Sequence, residues 1–358
     1  MLVSSRSGLP DPDCVHLIQD TQPEHRRVLI SPAKGRQIRV LVVYGGPSPE
    51  REISKASAEA VIGALDPKKY DVRALAIPED GEPPAPGDFA SDVVFPVAHG
   101  PSGEDGTLQG FLEFMRLPFV GAGVLGSAVG MDKLIMKRAL IACDLPVARH
   151  LSFRASDVGI LPDQVEARLG FPCFIKPANL GSSIGVSKPR HRGDLDAAVK
   201  LALQYGEWLL AEEAIAGMEV CLGVLEADPP MVSEAAAVLP GDDFYTFDDK
   251  YRTHKAEVLI PAPLSTEHRA QVREMAVRVF RACRCESMAR VDFLLEETRP
   301  DGTAGRGLIV NEINTLPGLA RDSLFPLAWE KSGLAFPELL DRLIELALER
   351  RARRRRTQ

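Results

Sequence analysis

Ala289-Arg290-Val-Asp292-Phe-Leu-Leu-Glu296, followed after a turn by Leu308-Ile-Val-Asn311-Glu312-Ile-Asn314-Thr315, decides how the rest of this chain is read. Both runs are rich in apolar and β-branched residues, with Asp301-Gly302 between them, so they read as paired strands. Arg290 and Asp292 are spaced i, i+2, as are Glu312 and Asn314, and on a strand that spacing puts each pair on one face. Two such strands side by side bring together an arginine, two carboxylates and an amide oxygen. Magnesium takes oxygen ligands in an octahedron and keeps phosphate and water at the remaining positions. Asp292, Glu312 and Asn314 are therefore candidate ligands, and Glu312 could bridge two ions. Arg290 offers a fixed positive charge to a phosphoryl group or developing oxyanion. The same residues also read as an ion-pair ladder on a surface hairpin. Thr315-Leu-Pro317-Gly318 follows directly and turns backbone N–H groups toward the same face, which favours a site over a ladder.

Upstream, Phe174-Ile-Lys176-Pro-Ala-Asn-Leu-Gly181-Ser182-Ser183-Ile-Gly185 reads as a strand ending in a lysine, then a small flexible loop. Glycine and serine let backbone and hydroxyl donors wrap around phosphates, and Lys176 can meet them as a point charge. The lysine precedes the glycines, so this is not the order of a P-loop; a plain hairpin turn is the alternative. His99-Gly-Pro-Ser-Gly103-Glu104-Asp105-Gly106 follows a buried run, Asp92 to Ala98, and loops at strand C-terminal ends are where open α/β sheets bind ligands. A histidine and two carboxylates there could orient a zwitterionic amino acid, or the loop could be a glycine-rich connector. Glu50 could bind an ammonium group or only favour a helix N-terminus. Phe244-Tyr245-Thr-Phe-Asp-Asp-Lys250-Tyr251 is an aromatic, polar stretch able to close over a site or to lie on the surface. Glu212, Glu213 and Glu219 flank a turn at Gly217 and could bind a ribose or adenine amino group.

Around these motifs the chain has the length for two or three domains, 358 residues. Residues 1–37 read as a disordered extension. Ile38 to Tyr44 is a buried strand broken by Gly45-Gly46, after which Ser48 caps a helix carrying Pro49, Glu50 and Glu52 in its first turn and Ile53, Ala56, Ala60 and Ala64 on its inner face. Further strands near 70–77 and 92–98 give an open α/β layer. The pattern changes near residue 132, where Met131 to Lys137 opens a helix; strands follow near 219–226 and 231–239, then a long helix near 267–284 and a closing amphipathic helix near 336–350. The body is acidic: net charge is −7 even though six arginines crowd into 350–356, which argues against a nucleic-acid surface. Those arginines read as a solvated helix end and frayed tail. No run of 18 apolar residues suggests a membrane span. The six cysteines show no CxxC pair, as for thiols in a reducing compartment.

Taken in order, these segments resemble the D-alanine–D-alanine ligase family over roughly residues 38–348. Gly45-Gly46-Pro-Ser-Pro-Glu50-Arg-Glu-Ile-Ser54, His99 to Gly110, Ser127-Ala-Val-Gly-Met-Asp132-Lys133 and Asn311-Glu312-Ile-Asn314-Thr-Leu-Pro-Gly318 carry the likeness. The resemblance implies an ATP-grasp fold, α/β and α+β in class: an N-terminal open α/β substrate domain (38–131), a central domain (132–218) and a C-terminal catalytic domain (219–348), with a basic tail at 349–358. It implies ligation of two D-alanines through an acylphosphate, using ATP and two magnesium or manganese ions, in a cytoplasmic homodimer with no nucleic-acid or membrane partner. By the same likeness, Lys133, Lys176 and Ser183 meet phosphates, Glu212 and Glu219 hold the adenosine, and Asp292, Glu312 and Asn314 bind metal. Arg290 and the backbone of Gly318 face the tetrahedral intermediate. Glu50, joined to Ser182 and Tyr251, orients the first ammonium beside His99, and Lys250, Ser323 and Leu324 hold the second carboxylate. A D-alanine–D-lactate ligase, or one taking another D-amino acid, is the alternative, with His254 near the lid keeping it open.

Overall fold

The computed structural model describes residues 36–239, 241 and 256–357. Residues 1–35 and the stretch 242–255, with Lys250, Tyr251 and His254, lie outside the described residues. The first unit is built on β1 (Ile38–Gly45), followed by α1 (Arg51–Ala64), β2 (Tyr70–Ile77), β3 (Val93–Pro96) and α2 (Thr107–Phe114). Its three strands are parallel in the order β2-β1-β3. β1 is central and covered on both sides, which is why its sequence is continuously apolar rather than alternating. Val40 and Val42 pack with Ala58 and Val61 of α1, whereas Leu41 and Val43 pack with Leu108 and Leu112 of α2.

α1 starts later and lies in a different rotation from the sequence expectation. The Ser48 hydroxyl accepts the N–H of Glu50, and the helix begins at Arg51 with Glu50 as its N-cap. Its buried face is Ser54, Ser57, Ala58 and Val61, not Ile53, Ala56, Ala60 and Ala64. The two serines explain the difference: Ser54 Oγ accepts the Gly45 N–H and Ser57 Oγ accepts the Leu319 N–H, so both count as satisfied interior groups. Ile53 and Ala56 instead line a large cleft.

α3 (Val124–Met131) and α4 (Lys133–Ala142) lead into the central unit. Met131 closes one helix rather than opening the next; Asp132 separates them and caps α4 by accepting the N–H groups of Leu134 and Ile135. β4 (His150–Arg154), α5 (Leu161–Arg168), β5 (Cys173–Pro177), α6 (Leu195–Ala202) and β6 (Trp208–Glu213) follow, with an antiparallel sheet in the order β4-β6-β5. The last unit holds β7 (Met218–Leu225), β8 (Met231–Val232), β9 (Ala236–Leu239), β10 (Glu257–Leu259), α7 (Thr266–Ala282), β11 (Met288–Thr298), β12 (Ala304–Asn314), α8 (Leu324–Lys331) and α9 (Phe336–Thr357). The strand expected over 231–239 is split into β8 and β9 at Ser233, whose Oγ accepts the Gly223 N–H. Six strands form one sheet, β10-β9-β7-β11-β12 with β8 beside β7. The buried face of α7, Val272, Ala276, Val279 and Phe280, fills the core behind it.

The arginine-rich end is neither frayed nor simply solvated, since α9 runs through it to Thr357. Arg350 is only 3% exposed, stacks 4.3 Å from the centre of the Phe119 ring, and donates to the carbonyls of Phe119 and Gly121 at 2.6 and 2.8 Å. Arg353 pairs with Glu226, and Arg354 pairs with Glu113 and Glu286. Earlier in α9, Asp341 accepts from Tyr70 and Lys69, and Leu339, Leu343 and Ile344 enter the same core as Val40 and Val42. Arg350→Ala should therefore lower stability by about 2–4 kcal/mol, because two buried carbonyls lose a charged donor. Arg355→Ala, at an exposed position, should be neutral within about 0.5 kcal/mol. Urea unfolding midpoints of the two variants against wild type measure the difference.

Candidate active site

The hairpin geometry follows from register. Arg290 stands opposite Asn314, and Asp292 opposite Glu312, on strands β11 and β12. β7 pairs the other edge of β11, putting Cys221 opposite Asp292 and Glu219 opposite Leu294. Arg290 donates from Nε and Nη2 to the two oxygens of Asp292 at 2.8 and 2.7 Å, a two-pronged pair with Asp292 only 1% exposed. Burial works against the Arg290 charge, but Asp292 outweighs it and raises the guanidinium pKa well above its usual value. Each oxygen of Asp292 keeps a second lone pair for another partner. With Glu312 and Asn314 this is an all-oxygen set, which fits magnesium. Ligand atoms of Glu219, Cys221 and Asp292 also lie within 4.8 Å of one another. The sequence reading passed over Cys221, although its i, i+2 spacing from Glu219 was the available signal.

β12 ends where the Asn314 Oδ1 accepts the Leu316 N–H at 3.0 Å, turning the chain toward α8. A Cβ on Gly318 would stand 3.1 Å from Ser323 Oγ, so the Gly318 backbone and the start of α8 are close neighbours. Ser323 is the N-cap of α8 and Leu324 its first residue. The N–H groups at such a helix start favour a carboxylate.

Lys176, next to last in β5, lies on the same face as Glu212 of β6, and the two form an ion pair. The other Glu212 oxygen lies 2.5 Å from Lys137 Nζ. Burial would raise the Glu212 pKa, but the two ammonium groups reverse that and lower it to about 2. The Glu212 carboxylate is thus shared between two lysines, while the residue lines the smaller of two cavities. Lys137 was not picked out from the sequence, although it stands four residues after Lys133 on α4. Lys133 donates to the Leu180 carbonyl at 2.7 Å and lies 3.5 Å from Glu312, linking the glycine-serine loop to the hairpin.

Glu50, Ser182, His99 and Glu104 converge from three loops. Ser182 Oγ donates to Glu50 Oε1, and Ser182 and Ser183 take left-handed φ values of 50° and 59°. Gly100, at φ 79°, lies so close that a Cβ there would be 2.4 Å from Ser48 Oγ and 3.0 Å from Glu50 Oε2. Glu104 accepts the Gly100 N–H, and its other oxygen lies 3.8 Å from His99 Nδ1. Burial lowers the His99 pKa, but Glu104 and then Glu50 overcome this and leave it raised.

Two cavities meet at this point. One of about 680 Å³ is lined by Glu50, His99, Ser182, Arg290, Gly318 and Ser323, among others. The second, of about 180 Å³, is lined by Lys176, Ser183, Glu212 and Ile215. Lys133, Gly181, Glu219 and Glu312 belong to both walls. A bound molecule in each would therefore meet the other beside Lys133 and Glu312. The structure thus brings the expected residues together at one junction, with Lys250 and Tyr251 lying outside the described residues.

The family models described as D-ala D-ala ligase N-terminus and C-terminus match residues 39–88 and 84–122, and residues 139–345. The D-alanine--D-alanine ligase of Solibacter usitatus is 45% identical over 323 residues, covering 88% of this chain and 96% of the relative. That of Geobacillus kaustophilus is 39% identical over 355 residues, covering 87% and 95%. Among solved structures, the D-alanine-D-alanine ligase from Coxiella burnetii matches with a TM-score of 0.77 at 30% identity, covering 90% of this chain and 97% of that one. VanG D-Ala:D-Ser ligase from Enterococcus faecalis matches at 0.75 and 30%, covering 87% and 100%. Both family models, the relatives along nearly their whole length and the shared fold agree: the chain belongs to the D-alanine–D-alanine ligase family.

Proposed function

We propose that this protein joins two D-alanines to D-alanyl-D-alanine at the expense of ATP, for cell-wall peptidoglycan precursor synthesis. The observation that carries the reading is the meeting of a lysine-walled cavity with a larger cleft lined by Glu50, Arg290 and Ser323, beside Lys133 and Glu312. ATP would occupy the smaller cavity and reach across its shared wall, with its phosphates toward Lys133, Lys176 and Ser183 and its adenosine toward Glu219. The first D-alanine would place its ammonium at Glu50, held in turn by Ser182, with His99 beside it. Its carboxylate oxygen attacks the γ-phosphorus, the bond to ADP breaks, and an acylphosphate forms. The second amine, after losing a proton, attacks the acyl carbon, and phosphate leaves. Arg290 and the Gly318 backbone would face the negative charge of that tetrahedral centre. Ser323 and Leu324, at the start of α8, would take the second carboxylate; Lys250 and Tyr251 would close the acceptor side. Asp292, Glu312 and Asn314 would hold magnesium or manganese, whose chemistry is to neutralise the transferring phosphoryl group. A cytoplasmic homodimer belongs to the same reading, with sedimentation the measurement for the dimer. No helix among the described residues is long and apolar enough to cross a membrane.

Incubation with ATP, magnesium and a panel of D-alanine, L-alanine, D-serine and D-lactate tests the reading by chromatography of the products. D-alanyl-D-alanine from D-alanine, with none from L-alanine, is expected; absence of the dipeptide would sink the proposal. The relatives bearing the D-alanine--D-alanine ligase name do not favour the D-lactate alternative. Glu312→Gln should lower kcat roughly 10²–10³-fold, the scale for removing a group that faces transition-state charge. Its far-ultraviolet circular dichroism should match wild type, and near-normal turnover would remove Glu312 from the metal site.

The raised His99 pKa also sets a pH dependence. A folded-state value above the unfolded 6.5 means that the native state binds the proton more tightly. The stability gained from charged His99 is therefore full below about pH 6.5 and is lost as pH rises through the folded-state value. Urea unfolding of wild type and His99→Gln across pH 5 to 9 should show the wild-type advantage shrinking with rising pH. An advantage that grows instead would contradict the charge assignment.

A further inference from the structure

Lys137 is used by neither cavity, yet it is one of the most deeply placed charges in the protein. Its side chain is 1% exposed and lines neither cavity. A buried ammonium is costly unless paired, and a residue needed only to fill space there would be apolar. Its partner is Glu212, 2.5 Å away, and the same carboxylate holds Lys176 through its second oxygen. Lys176 is at the wall of the smaller cavity, and Lys137 lies behind Glu212 from it. The order from core to cavity is therefore cation, anion, cation.

We propose that Lys137 is a positioning residue for nucleotide binding: it occupies Glu212 from behind, so that this carboxylate does not neutralise Lys176 at the cavity wall. The inference rests on the reading of the smaller cavity as an ATP site. Two ammonium groups sharing one carboxylate leave a net charge of +1, directed at the cavity. Without Lys137, Glu212 and Lys176 form a closed neutral pair, and the cavity loses the charge that attracts a triphosphate. Burial lowers the Lys137 pKa, and Glu212 opposes that effect; at Lys176 burial acts the same way, but Glu212 and Glu312 outweigh it and raise the value.

The charge count gives the test. The trio carries +1 in the wild type, 0 in Lys137→Met, and +1 again in the double variant Lys137→Met/Glu212→Gln. Binding of ATP with magnesium is measured by titration calorimetry, and KM for ATP and for D-alanine by steady-state kinetics, with thermal melting as the check on folding. Lys137→Met should weaken ATP binding roughly tenfold and raise KM for ATP in step, with KM for D-alanine unchanged. The double variant should return to within about threefold of the wild type, because a lost charge pair is tolerated better than a lost partner. A merely structural role would move both KM values together and would not be rescued by the second substitution. If Lys137→Met does not fold, the double variant carries the test alone. ATP affinity there more than about tenfold below wild type would overturn the inference, as would a folded Lys137→Met with wild-type affinity. Wild-type protein that binds no ATP would instead overturn the reading of the cavity.

Discussion

Everything at the catalytic junction hangs on the register of β11 between β7 and β12. Side chains alternate along a strand, so a slip of one residue would send Arg290 and Asp292 to the far face and bring Val291 and Phe293 out of the core. Val291 and Phe293 are fully buried behind the sheet with Val279 and Phe280, which makes that slip costly. The apolar alternation that anchors the sheet to α7 thus also fixes which residues face the cavities. Arg290 and Asp292 then lock to one another by two hydrogen bonds, and the sheet holds a preset electrostatic pair rather than two loose side chains.

Charge is arranged at this junction by close pairing rather than by number. Glu212 stays ionised because two lysines outweigh its burial, and Arg290 stays charged because Asp292 does the same. Glu213, next in the chain, faces away from that trio and joins Arg149 and Arg306, tying the central sheet to β12. Adjacent acidic residues on one strand therefore serve two different structural tasks, as the period of a strand requires.

The sequence made the hairpin, the first parallel strands and the glycine-serine loop legible because each rests on local rules: spacing of two, apolar runs and glycine turns. Arg290, Asp292, Glu312 and Asn314 stand where that spacing put them. The rotation of α1 was not legible, because apolar pattern cannot show that Ser54 and Ser57 are satisfied by Gly45 and Leu319, the latter 262 residues distant. Lys137 was missed for a related reason. A lysine on a helix reads as surface, and only the fold shows that a carboxylate from β6 waits beneath it. The arginine run misled in the same direction, since composition favours a solvated tail and the carbonyls that receive Arg350 come from residues 119 and 121.

The path of α9 has a consequence for how the chain comes off the ribosome. One face of the first sheet, with Val40 and Val42, is closed partly by Leu339, Leu343 and Ile344, about three hundred residues later. An emerging N-terminal unit therefore keeps part of that face uncovered until α9 is made, and its last contacts close a very long loop. Completion of the earliest sheet becomes a late event. A nascent chain stalled before α9 would leave that part of the face open to contact with other chains.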